Sequence, residues 1–91
     1  MEKRSALITN SLGLHARPAL QLVRLLKEYQ CDILVYKNKM ISKKYQPKDI
    51  VSVMAMDAVK GDILTFEANG TDAIEALEAA IAFIKDNCGE K

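Results

Sequence analysis

The sequence predicts an α+β fold in which strands and helices follow the order β-α-β-β-α-β-α, with an antiparallel sheet covered on one face by helices. Two observations carry this expectation. Apolar residues switch repeatedly between helical spacing and strict alternation. Turn signals at Asn10-Ser11-Leu12-Gly13, Lys37-Asn38-Lys39, Lys60-Gly61-Asp62 and Asn69-Gly70 cut the chain into short segments with short connections. The length, 91 residues, suits one domain over 1–91.

Residues 4–9 have the content of a short first strand. Ala16, Ala19, Leu20, Val23 and Leu26 then repeat at helical spacing, with Leu22 and Leu25 widening the stripe, and predict a helix over 16–28. The β-branched and aromatic content of residues 31–36 predicts a strand with Cys31, Ile33 and Val35 on one face. A weaker strand is expected over 40–46. Pro47 stops pairing and opens a short helix over 48–57. Leu64, Phe66 and Ala68 alternate onto one face of a strand over 63–68. Thr71 is the candidate N-cap of a last helix over 72–86, with Asp72 in its first turn. Ile74, Leu77, Ile81 and Ile84 form its apolar stripe.

Composition excludes several classes. The formal net charge is +1, which offers no footprint for nucleic acid. Lys37, Lys39, Lys43, Lys44 and Lys48 cluster, but with Asn38, Ser42 and Gln46 among them they read as a solvated hairpin and loop. No apolar run approaches the roughly 20 residues of a membrane span, and the start of the chain has no secretory pattern, so a cytoplasmic location is expected. Cys31 and Cys88 are far apart beside a single histidine. That spacing makes neither a zinc site nor a redox pair and predicts two thiols, Cys31 packed and Cys88 near a frayed end. No metal or cofactor is implied.

Reactive groups concentrate in one place, Gly13-Leu14-His15-Ala16-Arg17-Pro18-Ala19, where the only histidine meets a helix start. The first amides of a helix lack intrahelical acceptors and favour an anion just ahead of them. The backbone N–H groups of Ala16 and Arg17 are the candidate phosphate contacts. The Arg17 guanidinium matches phosphate oxygens. Pro18 is tolerated in the first turn and disfavours helical geometry at Arg17, so backbone tension is expected there. A neutral imidazole is nucleophilic near pH 7 and leaves again when protonated, as a carrier requires. On chemistry alone His15 also reads as a simple helix cap.

The GLHARPA segment and the element order resemble the HPr family, the histidine-containing phosphocarriers of the bacterial phosphoenolpyruvate-dependent phosphotransferase system. The resemblance spans almost the whole chain. It implies an open-faced β-sandwich, a four-stranded antiparallel sheet with three helices on one face. It also implies that Enzyme I phosphorylates His15 on Nδ1, that Arg17 stabilises the phosphoryl group, and that sugar-specific or regulatory proteins accept it. The chain would then be a phosphocarrier serving sugar transport, not a self-sufficient enzyme, and a monomer.

Residues 47–56 resemble the family's second motif with informative departures. Asp49 stands where some members carry a regulatory serine and cannot be phosphorylated there. It reads either as a helix cap or as a fixed mimic of the phosphorylated state, the cap being preferred. Ser52 is not that site. The preceding segment is about three residues longer than the family's usual spacing, and Asp57 replaces a glycine. The resemblance further implies that the first and second helices dock on Enzyme I. The expected surface has an apolar centre at Leu20, Ile50, Val51 and Met54, with Arg24, Lys27 and Lys48 around it. Two alternatives stay open, a regulatory binding module of the same fold and a nitrogen-type phosphorelay component not serving sugar uptake.

Overall fold

The computed structural model describes residues 1–89. It contains β1 (Glu2–Leu7), α1 (Ala16–Leu26), β2 (Asp32–Lys37), α2 (Ile50–Met56), β3 (Ile63–Asn69) and α3 (Ala73–Lys85), followed by a single turn over Asn87–Gly89. The strands form one antiparallel sheet in the order β1-β3-β2. β3 is central because its alternation supplies Leu64, Phe66 and Ala68, all buried, to one face. Ala6, Ile33 and Val35 join them from the outer strands. Cys31, Ile33 and Val35 do share a buried face.

The helices close this apolar face. α3 packs on β1 and β3, and α1 packs on both α2 and α3. In α1 the buried residues are Pro18, Ala19, Leu22, Val23 and Leu26. Leu20, expected in the stripe, is 40% exposed, and Ala16 is also exposed, because the core face is centred on Leu22 instead. In α3 the small residues Ala73, Ala76 and Ala80 bring the helix onto the sheet beside Leu77 and Ile84, which turns Ile74 outward.

The expected fourth strand over 40–46 does not form. Asn38 turns with φ 56°, and the amides of Met40, Ile41 and Lys43 then bond to the carbonyls of Lys37, Lys39 and Met40. These local turns occupy groups that a ladder would need. Only Tyr45 pairs with β2, through N–H to O bonds of 3.0 and 2.7 Å with Val35. The loop is pinned by its side chains as well. Lys44 Nζ lies 2.8 Å from the Glu67 carboxylate, which Lys3 approaches at 3.3 Å from the other side. Glu67 is buried on the outer face of the central strand, and the Lys44 hydrogen bond is the main reason its pKa is lowered.

Three other expectations are corrected. Asp72, not Thr71, is the N-cap of α3. Its carboxylate accepts the backbone N–H groups of Gln30 (2.7 Å) and Cys31 (2.9 Å), tying the start of α3 to the start of β2. Those bonds hold its pKa down. Cys88 is not at a frayed end but fully buried in the core. The first strand begins earlier than residue 4, since Glu2 and Lys3 pair with Ala68 and Glu67.

Candidate functional site

The loop between β1 and α1 is built to hold His15 against the rest of the molecule. Ile8 exchanges backbone bonds with Asp62 and Gly61, both 2.9 Å. Leu14 is buried, and its N–H donates to Ala58 O at 2.9 Å. Gly13 has φ 63°, and a Cβ there would lie 2.5 Å from Ala58 O and 2.7 Å from Val59 Cα. Only glycine fits both the left-handed turn and this close backbone approach. The Asn10 side chain closes the loop, donating from Nδ2 to Gly13 O at 2.9 Å.

His15 is the half-buried N-cap of α1, extended at φ −75° and ψ −175°, and its carbonyl accepts the Ala19 amide at 2.9 Å. The cap is made by backbone alone; the imidazole does not bond to the first turn. Ala16 and Arg17 are exposed, while Pro18 and Ala19 are buried. Pro18 has no N–H, so the first turn presents the amides of Ala16 and Arg17 as its donors. Arg17 lies inside α1, and the left-handed conformations near the site are at Gly13 and Asp57.

Among the described residues no group of three His, Cys, Asp or Glu side chains could hold a metal ion. Two surface grooves lie away from His15, one between Lys37, Met40, Lys43 and Met56 and one over Tyr36, Ile41, Ile63 and Thr65.

The expected docking residues separate into two kinds. Val51 is 72% exposed and Met54 43% exposed on α2, with Leu20, Arg24 and Lys27 exposed on the neighbouring α1. Ile50 is half-buried against the core. Lys48 is different. Its Nζ donates to Tyr29 O and Cys31 O, both at 2.7 Å, joining the end of α1 to the entry of α2. That ammonium is also used within the fold. Asp49 is the N-cap of α2, its carboxylate accepting Val51 N–H at 3.1 Å. Asp57, where a glycine was expected, ends α2 with φ 51°, a conformation that Asp tolerates better than most residues. Asn10 carried no signal in the sequence beyond its place in a turn; its donor role emerges only once Gly13 is folded beneath it.

The fold and this site match one family. The family model described as "PTS HPr component phosphorylation site" covers residues 2–86. The chain belongs to the HPr family. It is 39% identical over 79 residues to the phosphocarrier protein HPr of Mycoplasma capricolum, covering 87% of this chain and 85% of that protein. It is 34% identical over 80 residues to the phosphocarrier protein NPr of Klebsiella oxytoca, covering 88% and 87%. The crystal structure of HPr-C-His from Thermoanaerobacter tengcongensis superposes with a TM-score of 0.89 at 32% identity, covering 100% of this chain and 99% of that one. The HPr fold is thus shown, with three helices on an antiparallel sheet of three strands here. HPr proteins are phosphocarriers of the phosphotransferase system, and sugar transport and a phosphohistidine fit the family.

Proposed function

We propose that this chain acts as one unit that accepts a phosphoryl group from Enzyme I on His15 and passes it to sugar-specific or regulatory acceptor proteins. The observation that carries this is the placement of His15 as the N-cap of α1, directly ahead of the exposed amides of Ala16 and Arg17. Nδ1 attacks the phosphorus of the donor's phosphoryl group, the bond to the donor breaks, and its electron pair stays with the donor. The new phosphoryl oxygens meet the two amides, the positive end of the helix dipole and the Arg17 guanidinium. Onward transfer reverses these steps on the acceptor.

A shallow, exposed site suits this work, because the reacting groups of the partner must reach it. The face formed by Leu20, Val51 and Met54, flanked by Arg24 and Lys27, would seat Enzyme I beside His15. Relatives named HPr and relatives named NPr are both similar, so sugar uptake and a nitrogen-type relay are two destinations of the same chemistry. The protein works as a monomer in the cytoplasm and depends on partners for turnover.

The test is labelling by phosphoenolpyruvate and Enzyme I, beside His15→Ala. Rapid labelling that is lost in His15→Ala, labile in acid and stable in alkali, is the expected result. Absence of label on the folded protein with several Enzyme I sources would leave a regulatory binding module of the same fold.

A further inference from the structure

Asn10 is only 8% exposed, and each half of its side-chain amide has a different fate. Nδ2 donates to Gly13 O at 2.9 Å, while the Gly13 N–H returns to Asn10 O at 3.2 Å. Residues 10–13 are therefore clasped from both sides. Beyond the clasp, Gly13 takes its left-handed turn against Ala58 and Val59, and Leu14 is fixed by its bond to Ala58 O. His15 follows with no further slack before α1 begins. The other half of the amide, Oδ1, is buried and has no hydrogen-bond partner among the described residues. A buried acceptor left without a partner opposes folding. An apolar side chain of similar bulk would remove that cost but leave Gly13 O without its donor. Of the two halves of the amide, only the donor is used within the fold, and what it holds is the turn ahead of His15.

We propose that Asn10 is a positioning residue for phosphoryl transfer: its bond to Gly13 O sets the turn that aims the His15 imidazole at the first amides of α1. This rests on the reading of His15 as the phosphoryl acceptor. Small displacements of a reacting group cost rate steeply, about a hundredfold for an ångström.

The test compares the parent with Asn10→Leu, which removes the donor and the buried acceptor together, and Asn10→Asp, which keeps the shape but sets an oxygen against Gly13 O. Measurements are the thermal midpoint, the kcat and KM for phosphorylation by Enzyme I and phosphoenolpyruvate, and the NMR signals of the His15 ring. For Asn10→Leu the expected result is a folded protein with shifted ring signals. Its kcat should fall tenfold or more, and its KM should be unchanged because the docking face is untouched. Asn10→Asp should lose kcat likewise. An Asn10→Leu protein with parental kcat and parental ring signals would overturn the proposal, whatever its stability. If the parent itself takes no label, the reading of His15 fails separately, and the ring signals alone decide the positioning role: shifted signals support it and parental signals overturn it.

Discussion

Replacing Asp49 separates its two readings, helix cap and fixed negative charge. The carboxylate accepts the Val51 amide at 3.1 Å, and α2 is only seven residues long, Ile50–Met56. So short a helix relies on its cap and on the core contacts of Val53 and Met56. Asp49→Ala removes the acceptor and should cost about 1 kcal/mol. In a domain of this size that lowers the thermal midpoint by roughly 4–8 °C. Asp49→Asn keeps an acceptor and loses the charge, so only the interaction with the helix dipole goes, a few tenths of a kcal/mol. Thermal unfolding followed by circular dichroism reads the stabilities, and initial rates of phosphorylation by Enzyme I read the transfer. If Asp49 is a cap, the two variants differ in stability and both transfer like the parent. An Asn variant of parental stability that transfers severalfold faster would refute the reasoning and make the charge a brake.

Other substitutions probe the remaining supports. Gly13→Ala places a Cβ 2.5 Å from a backbone oxygen in a left-handed turn, and should cost about 2 kcal/mol or more with loss of labelling at His15; unfolding and labelling assays check both. Lys48→Met should lose about 1–2 kcal/mol of stability, because two carbonyls lose their donor, while its KM for Enzyme I stays near the parent's at a temperature where it is folded. Arg24→Glu should do the reverse, leaving stability alone and slowing loading by Enzyme I at low salt. Glu67 has a lowered folded pKa, so its contribution is present above the unfolded value near 4.5 and is lost as pH falls through the folded value. Acid titration of stability should therefore be flatter in Glu67→Gln than in the parent.

The candidate site was legible because its residues lie within one short segment. Gly13, His15, Arg17 and Pro18 each carry a local signal, and the helix that follows has an unambiguous period. What organises that segment was not legible. Asn10 acts through a turn that exists only when Gly13 packs on Ala58 and Val59, residues distant in sequence. The structural role of Lys48 was hidden for the same reason. A lysine beside an apolar helix reads only as a rim charge, and its second use appears once the carbonyls of Tyr29 and Cys31 are brought to it. Cys88 read as terminal because nothing local announces that the last turn folds back into the core.

The fourth strand shows the limit of pattern most clearly. Residues 40–46 contain Met40, Ile41 and Tyr45, enough apolar content to suggest pairing, yet a ladder needs free amides and a register. Here the amides of Met40, Ile41 and Lys43 close three successive turns before any register is set. The loop keeps one rung of an antiparallel ladder, Tyr45 with Val35, and is otherwise tied to the sheet by Lys44 on the buried carboxylate of Glu67. That ion pair sits on the outer face of the sheet, the face opposite the helices. The loop also reaches the helix side, where Met40, Lys43 and Tyr45 line a groove with Met56 and Asp57. The two halves of the molecule obey different constraints. The apolar face and its loops hold His15, while the outer face ties the 40–46 loop to the sheet through Glu67 and its two lysines.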